Sequence, residues 1–325
     1  MSIAVGLVGA GVMGSEHARI LREDTPGAKL AGVCDADPQK ADAAACGSLT
    51  YSDPLEMIRS NNIDAVLIAS PDSTHAELVM ACLEVGKPVL CEKPLAMNAQ
   101  QALAIVELEM SKSRRLVQVG YMRRFDPAYQ MLKHSFDSGE IGEPLIVHNI
   151  HRNPVAPEWM TGSMSISNAF VHEIDITRWL LNTEFSTIRI TTTRKGDPLV
   201  IEACTNGGVI ITTEVNMNCQ YGYHVHAEIV GEQGVVSLSS MPSKVIHKGG
   251  QRALSYPSYW VPRFLEAYKE QTKAWIKTIQ TGKPNAGANA WDGYITTAVA
   301  EQIIADNNVS PLIHLSLPTC PSFYS

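Results

Sequence analysis

The sequence has no long hydrophobic run, no excess of basic residues and no paired cysteine motif. No segment approaches the roughly 18 apolar residues that a membrane-spanning helix requires. The formal net charge is -7 at pH 7, which argues against nucleic acid or an anionic membrane surface as a partner, because either would attract clustered Lys and Arg. A small-molecule partner fits this composition better.

The seven cysteines are odd in number and scattered along the chain, which favours free thiols in a reducing compartment over disulfides. His, Cys and carboxylate residues show none of the usual ligand spacings, so we expect no metal site. The first residues run directly into a strand pattern, without the charged segment and apolar stretch of a signal peptide. We therefore expect a soluble, cytoplasmic protein.

A chain of 325 residues exceeds the size at which one hydrophobic core usually keeps growing, so two domains are expected. Short apolar runs rich in Val, Ile and Leu alternate with amphipathic stretches in the first third, which predicts a parallel sheet covered by helices on both faces. The predicted strands are 3–8, 30–34, 65–69, 89–91 and 116–119.

The second part of the chain has longer segments with alternating Thr, Ile and Val, which predict a mostly antiparallel sheet. The predicted strands are 145–151, 187–194, 199–204, 209–218, 225–231 and 235–238, with a hairpin turn at 206–208. Apolar spacing predicts helices at 170–181, 264–280 and 291–306. The tail after Pro318 is expected to be poorly ordered.

A glycine motif follows the first apolar run. Gly9, Gly11 and Gly14 form Gly-x-Gly-x-x-Gly between a predicted strand and a predicted helix, as a turn beside a pyrophosphate requires. Asp35 ends the second strand about 20 residues later. A carboxylate at this position accepts hydrogen bonds from the ribose hydroxyls and repels a 2′-phosphate. The pattern predicts a Rossmann domain that prefers NAD over NADP. The alternative is a loop of glycines beside a solvated aspartate.

Lys93 lies in the run Glu92-Lys93-Pro94, directly after a predicted strand. A lysine at the carboxyl end of a parallel strand faces the crevice in which such sheets bind ligands. An ordinary solvated lysine is the alternative interpretation of this residue.

The Glu-Lys-Pro run, residues 68–75 and residues 120–126 together resemble the glucose-fructose oxidoreductase/inositol dehydrogenase/MocA family. Residues 151–154, 167–175 and 291–294 are most similar to the bacterial myo-inositol 2-dehydrogenase branch, and the resemblance covers nearly the whole chain. It implies an α/β protein with an N-terminal Rossmann domain over residues 1–121. Residues 122–325 are then an α+β domain for substrate binding and oligomerisation, with a large open, mostly antiparallel sheet, and its C-terminal helix is free to pack back on the Rossmann domain.

The resemblance also implies catalytic roles for Lys93 and His172. A histidine suits the removal of a proton from a secondary alcohol as the hydride leaves, and an ammonium group stabilises the developing alkoxide. The aspartate of the family, four residues before the histidine, is Asn168 in this sequence. Loss of that charge is consistent with a different substrate, slower chemistry or none. Asp175 is either a substitute acid or, as the interpretation we favour, a structural residue.

Further site residues are implied by position in the family. The cofactor contacts are assigned to Gly9, Gly11, Val12, Met13, Gly14, Asp35, Ser70, Pro71, His75, Glu92 and Lys93. The substrate contacts are assigned to Met122, His151, Asn153, Asn168, His172 and Tyr223, although packing alone explains Met122, His151, Asn153 and Tyr223 equally well. His224 stands where relatives commonly have an acidic residue.

Hydride transfer between NAD and a secondary alcohol of a cyclitol or sugar is therefore the predicted function. The alternatives are a catalytically silent NAD-binding protein and a dehydrogenase for a different sugar. Relatives pair their open sheets, so we expect a homo-oligomer, specifically a tetramer.

Overall fold

A computed structural model describes residues 2–160, 162–239, 244–306 and 312–325 of the chain. The chain divides into two compact units. Unit 1 contains Met1–Phe125, Glu266–Ala298 and Pro318–Ser325, and unit 2 contains Asp126–Leu265 and Val299–Leu317. Among the helices in these described ranges, none combines the length and the apolar character that crossing a membrane requires.

Unit 1 is built on a six-stranded parallel sheet with the strand order β3-β2-β1-β4-β5-β6. The strands are β1 (Ile3–Val8), β2 (Ala28–Cys34), β3 (Leu49–Tyr51), β4 (Ala65–Ile68), β5 (Val89–Cys91) and β6 (Val117–Val119). The order reverses between β1 and β4, and sheets of this topology bind ligands beyond the carboxyl ends of their strands at that reversal.

Five helices accompany this sheet: α1 (Val12–Glu23), α2 (Pro38–Ala45), α3 (Pro54–Arg59), α4 (His75–Glu84) and α5 (Ala99–Ser111). The side chains of Asp37, Asp53 and Asn98 accept hydrogen bonds from the first turns of α2, α3 and α5. Helix α1 differs because its N-cap is Gly11, which has no side chain to fill the positive end of the helix dipole.

Unit 2 is built on a seven-stranded sheet with the order β12-β11-β7-β10-β9-β8-β15, beside which β13 and β14 form a separate hairpin. The strands are β7 (Pro144–Arg152), β8 (Phe185–Thr192), β9 (Leu199–Thr205), β10 (Ile210–Asn216), β11 (His224–Gly231), β12 (Val235–Ser237), β13 (Lys244–Lys248), β14 (Gln251–Ser255) and β15 (Ile313–His314). Strands β7 and β10 run parallel, whereas the other neighbours in the large sheet are antiparallel. Buried and more exposed residues alternate along β7, β10 and β11, so one face of the sheet lies on the core.

The remaining helices are α6 (Pro127–Asp137), α7 (Val171–Leu181), α8 (Trp260–Thr281) and α9 (Ala290–Asp306). A π-helical turn, Ser165–Phe170, leads directly into α7. Such turns are rare and occur frequently at functional sites. Nearly all of α7 is buried, which gives the residues at its start a fixed position in unit 2.

The predicted fold class is confirmed, since a parallel Rossmann-type sheet is followed by a mostly antiparallel one. Strand β3, the β13–β14 hairpin and helix α6 were not predicted; β3 has only three residues, which is too short for an apolar period. The prediction of a poorly ordered tail is wrong. Tyr324 is only 7% exposed and its hydroxyl donates to Oε2 of Glu109 at 2.5 Å, while the Arg115 guanidinium donates to the carbonyl of Phe323 at 2.9 Å.

Candidate active site

The glycine loop between β1 and α1 has the geometry that a dinucleotide diphosphate requires. Gly9 has a φ of 90°, and a Cβ there would lie 2.5 Å from the backbone nitrogen of Ser70. A Cβ on Gly14 would overlap the carbonyl of Gly9, so α1 packs directly on the loop. At Gly11, apart from its immediate neighbours along the chain, no atom of the described residues lies within 4 Å of a Cβ position. Packing within the protein does not require glycine there, and the open space suits a phosphate that approaches the backbone closely.

Asp35 lies directly after β2 and directs both carboxylate oxygens at backbone amides. Oδ2 accepts from the amide of Ala10 at 2.6 Å, and Oδ1 accepts from the amide of Asp37 at 2.8 Å. The first bond joins the end of β2 to the glycine loop. Each oxygen retains a further lone pair, so the carboxylate can also accept a ribose hydroxyl.

His75 braces the loop that follows β4. Its Nδ1 lies 2.7 Å from the carbonyl of Pro94, and its Nε2 lies 3.0 Å from the carbonyl of Ser70. In the same loop, the hydroxyls of Ser70 and Thr74 lie 2.6 Å apart. The ring of His75 therefore joins the loop after β4, which also contains Pro71, to the turn that contains Lys93.

Lys93 follows β5 and is half-buried in unit 1. Burial lowers the pKa of its ammonium group below the ordinary lysine value, the carboxylates of Asp72 and Glu92 oppose that shift, and the Arg123 guanidinium adds to it. Because Lys93 is half-buried, water screens the charge of its ammonium group less than it would in bulk solution. Such a group is suited to stabilise negative charge that develops on a bound substrate.

Residues 168–172 lie at the junction between the π-helical turn and α7 in unit 2. Asn168 is in the turn, and His172 is the second residue of α7 with only 8% of its surface exposed. The ring of His172 meets the ring of His151 at a centroid distance of 6.2 Å. The structure therefore brings together two histidines, one on β7 and one on α7, that are 21 positions apart in the sequence.

His151, on β7, is the centre of the cluster in unit 2. Its Nδ1 lies 3.1 Å from Oε2 of Glu173, and both side chains are at most 5% exposed. Tyr223 packs its ring edge-on to His151 at 5.9 Å. A buried imidazole that is hydrogen-bonded to a buried carboxylate has a fixed orientation. Glu173 therefore fixes the orientation of the His151 ring relative to His172 and to a ligand bound next to them.

Asn153 contributes a buried polar atom just beyond β7. Its backbone amide donates to the carbonyl of Asn216 at 2.8 Å. Its Oδ1 is buried without a hydrogen-bond partner among the described residues. Unsatisfied buried oxygens are uncommon, and a hydroxyl-bearing ligand would satisfy this one. Met122, in unit 1, is 2% exposed within a single helical turn.

Sequence reasoning missed two residues in these clusters. Glu173 follows His172 directly in the chain, and the signal available in the sequence was a charged residue between the apolar residues of the predicted helix 170–181. His17 lies on α1 with its Nε2 2.7 Å from Oε1 of Glu92, and no local pattern pointed to it. Among the described residues, no group of three or more His, Cys, Asp or Glu side chains could hold a metal ion.

Comparisons with known proteins agree with this geometry. Residues 3–121 match the profile of an oxidoreductase family with an NAD-binding Rossmann fold, and residues 129–237 match the C-terminal domain of GFO/IDH/MocA proteins. Inositol 2-dehydrogenase 1 of Saccharopolyspora erythraea is 42% identical over 100% of this chain and 99% of its own length. The chain belongs to the GFO/IDH/MocA oxidoreductase family.

Further relatives extend the match to solved structures. Inositol 2-dehydrogenase of Klebsiella pneumoniae is 37% identical, over 100% of this chain and 99% of that protein. The crystal structure of myo-inositol dehydrogenase from Lactobacillus casei, in complex with NAD(H) and myo-inositol, superposes with a TM-score of 0.95 at 32% identity and covers 100% of both chains.

Membership in the GFO/IDH/MocA family confirms the predicted resemblance, the dehydrogenase class and the NAD cofactor. The glycine loop and Asp35 fit that cofactor, since the open space at Gly11 and the free lone pairs of Asp35 are what a diphosphate and a ribose need. The catalytically silent alternative is not favoured.

Two positions at which the sequence analysis expected a departure from the family lie in unit 2. Asn168, the first, lies in the π-helical turn, one turn before His172. His224, the second departure, lies with its Nδ1 2.7 Å from the hydroxyl of Tyr221. Burial lowers the pKa of His224, and the nearby Arg152 guanidinium lowers it further, which favours the neutral ring.

Proposed function

We propose that this protein is an NAD-dependent inositol dehydrogenase that oxidises a secondary hydroxyl of myo-inositol or a close stereoisomer to the ketone. The observation that carries the proposal is the match of 42% identity over the full chain to an inositol 2-dehydrogenase. The cluster of buried histidines, carboxylate and amide in unit 2 supports it, because a polyol offers many hydroxyls to such groups.

His172 is the proposed base. NAD, when bound, accepts the hydride from the carbon that carries the reacting hydroxyl. His172 takes the proton of that hydroxyl on a ring nitrogen, and the ring is held in place by burial and by contact with His151. Glu173 holds His151 in turn, because its carboxylate lies 3.1 Å from Nδ1 of that ring.

Lys93 is the proposed stabiliser of the alkoxide. Its ammonium group is half-buried, so its interaction with a developing negative charge is stronger than it would be in bulk water. Asn168 has no charge and is proposed to donate a hydrogen bond to a substrate hydroxyl. We further propose that the buried Oδ1 of Asn153 accepts a hydrogen bond from a hydroxyl of the inositol ring. Met122 and Tyr223 are proposed to contact the apolar faces of that ring.

Cofactor contacts are proposed for the loops beyond β1, β2, β4 and β5. The backbone amides of Val12 and Met13 at the start of α1, together with the three glycines, are proposed to bind the diphosphate. Asp35 is proposed to accept hydrogen bonds from the adenosine ribose. The loop from Ser70 to His75 and the Glu92-Lys93 turn serve the nicotinamide half. A 2′-phosphate would lie against the Asp35 carboxylate, so NAD is preferred over NADP.

The test is an assay of reduced-nicotinamide absorbance with purified protein, NAD or NADP, and a panel of myo-, scyllo- and D-chiro-inositol and glucose. We expect reduction of NAD with at least one inositol, and loss of activity by about a hundredfold or more in His172→Ala. His134→Ala, at an exposed position on α6, is the matched control and should retain wild-type activity.

A different result would contradict the proposal. If calorimetry shows NAD binding while no inositol or aldose reduces it at any pH, the protein is not an inositol dehydrogenase. Activity with glucose but not with any inositol would replace the substrate class while leaving the oxidoreductase assignment in place.

We also propose that the protein is a tetramer formed through the more exposed face of the unit 2 sheet. Ile210 is paired with Ile146 in register, and Ile210 and Val200 are each 47% exposed on neighbouring strands. Exposed apolar side chains on a sheet face favour pairing with a second copy. Light scattering is expected to show a tetramer, and Ile210→Asp should yield smaller species. A wild-type monomer at micromolar concentration would overturn the proposal.

Two coarser proposals accompany this function. Residues 1–121 are proposed to bind the cofactor and residues 122–325 the substrate, which the separate profile matches over residues 3–121 and 129–237 support. A cytoplasmic location is proposed because all seven cysteines are free, as a reducing compartment maintains them.

A further inference from the structure

His17 is a fully buried histidine on α1, the helix that begins at the glycine loop. Its Nε2 lies 2.7 Å from Oε1 of Glu92, and the ring of Tyr268 meets it edge-on at 5.6 Å. A polar ring with no exposed surface is costly to bury unless its hydrogen bonds compensate. The contact with Glu92 is therefore the feature that accounts for a histidine in this position.

Glu92 is confined on several sides. Its backbone amide donates to the carbonyl of Ile68 at 2.8 Å, which fixes the chain at the end of β5. A Cβ on Gly120 would lie 2.8 Å from Oε2 of Glu92, so the carboxylate occupies space that only glycine leaves open. Oε1 is held by His17, and Oε2 lies 3.4 Å from the backbone amide of Lys93. The carboxylate thus has one orientation, set by His17 on one side and bare backbone on the other.

The other ring nitrogen of His17 indicates how the proton is placed. Nδ1 is buried and has no hydrogen-bond partner within the described part of the chain. A proton on Nδ1 would have no protein acceptor, which is unfavourable. An N–H group on Nε2 donates to the Glu92 carboxylate and satisfies both groups.

We propose that His17 is a positioning residue for the dehydrogenase reaction, acting through Glu92 on the turn that carries Lys93. The inference rests on the proposed function of Lys93. His17 belongs to the helix whose N-terminus would receive the diphosphate, and Glu92 precedes Lys93 directly. The hydrogen bond between them therefore joins the diphosphate-binding helix to the strand end that bears the ammonium group.

The charge of Glu92 also links His17 to Lys93. The Glu92 carboxylate opposes the fall in the pKa of Lys93 that burial causes, together with Asp72 and against Arg123. Among the described contacts, His17 on α1 faces Glu92, and Tyr268 on α8 packs against His17. Cys91 on β5 interacts electrostatically with Glu92, and Asp72 and Arg123 interact electrostatically with Lys93. When His17 no longer holds Glu92 beside the ammonium, the pKa of Lys93 falls further, and a smaller fraction of Lys93 is charged at a given pH.

The test compares His17→Gln with His17→Met in the full-length protein. Both side chains are similar in size, but only the Gln amide can donate to Glu92 from about the position of Nε2. We expect kcat with inositol to fall about tenfold in the Met variant and less than threefold in the Gln variant. KM for inositol should change little in either variant, because His17 is proposed to contact no ligand.

A second readout does not need turnover. Proton titration of the Lys93 Nζ by NMR, in protein labelled with ¹⁵N-lysine and assigned by the signal lost in Lys93→Arg, should move to lower pH in His17→Met and stay near wild type in His17→Gln. Leu21→Ala removes a buried side chain on the same helix and serves as the packing control. It should lower the thermal midpoint without moving the Lys93 titration.

The outcomes separate the two proposals. If the wild type reduces no NAD with any inositol, the proposed function fails, and the titration still decides whether His17 acts on Lys93 through Glu92. If the Met and Gln variants have the same Lys93 titration, or the same kcat in an active enzyme, His17 serves packing alone and the inference is overturned.

Discussion

Unit 1 and unit 2 hold their candidate functional residues in different ways. In unit 1 the backbone is the frame: Asp35 accepts from two amides, His75 lies between two carbonyls, and Gly14 packs directly on the glycine loop. In unit 2 one side chain holds another, since His151 depends on the carboxylate of Glu173. Where the backbone positions the functional residues, a substitution that adds an atom close to the backbone should disrupt binding. Where one side chain positions another, a substitution that removes the charge or the hydrogen bond of one partner should lower activity.

The largest effect is expected at Lys93, where charge acts directly on the reaction. Lys93→Met should lower kcat by about a thousandfold, since it removes a preorganised charge from the reacting centre. Because burial lowers the pKa of Lys93 and the ammonium is the active form, kcat/KM of the wild type should fall as pH rises through a value below that of an ordinary lysine. Steady-state kinetics across the alkaline range measure both effects.

Lys112→Met, at an exposed position at the end of α5, is the matched control and should be indistinguishable from wild type. If the kcat/KM of wild type rises rather than falls through this alkaline range, neutral Lys93 is the active form and its proposed role as a charge stabiliser is wrong.

The glycine loop offers a sharper contrast within unit 1. Gly11→Ala places a Cβ in open space, so the thermal midpoint should stay at the wild-type value while the Kd for NAD rises about tenfold, which corresponds to about 1.4 kcal/mol. Gly14→Ala should lower both the stability and NAD affinity, because its Cβ would overlap the carbonyl of Gly9. Calorimetric titration and thermal melts distinguish the two.

Gly207→Ala, in the turn between β9 and β10, provides the control for adding a methyl group to a loop glycine. Unchanged NAD affinity in Gly11→Ala would mean that the diphosphate does not approach the backbone at this glycine, and the cofactor site would have to be placed elsewhere on the sheet edge.

The same contrast explains which features the sequence could predict. The glycine motif, Asp35 and the Lys93 turn follow predicted strands directly, so local spacing was enough to place them. The contacts of His151 with Glu173 and of His17 with Glu92 join residues 22 and 75 positions apart, and no local period encodes them. Only the fold brings such partners together.

Short or terminal elements escaped prediction for a related reason. Strand β3 has three residues and gains its stability from neighbouring β2, not from its own pattern. The tail after Pro318 has no period at all, yet Tyr324 is buried through a partner more than 200 residues away. Long-range hydrogen bonds of this kind leave no signature in a window of a dozen residues.

In unit 2, the largest expected effect of breaking a side-chain pair is at Glu173. Glu173→Gln retains the shape and a hydrogen bond to His151 but removes the buried charge. We expect kcat to fall about tenfold, in line with the roughly 1.5 to 3 kcal/mol of a charged hydrogen bond, while the Kd for NAD is unchanged. Glu202→Gln, exposed on β9, is the control. A Gln variant with full activity would show that His151 needs no carboxylate.

The smallest effect on catalysis is expected at the end of the chain, where the contact contributes to stability alone. Tyr324→Phe removes the hydrogen bond to Glu109 and should lower the free energy of unfolding by about 2 kcal/mol with kcat unchanged. Burial raises the pKa of Glu109 and the Tyr324 hydroxyl opposes that shift, so the variant raises it further. In the folded variant, the Glu109 carboxyl therefore stays protonated up to a higher pH than it does in the unfolded chain.

The sign of the pH dependence follows from linkage. A carboxyl whose folded pKa is raised loses stability as pH rises from its unfolded value through the folded one, and the variant loses more than the wild type. Urea denaturation should therefore show a difference between the two proteins that is largest above this window and shrinks as pH falls. Tyr259→Phe, at a 43% exposed position, should show no such dependence. A difference that instead grows toward acid pH would mean that protonated Glu109 is the form that depends on the Tyr324 hydroxyl.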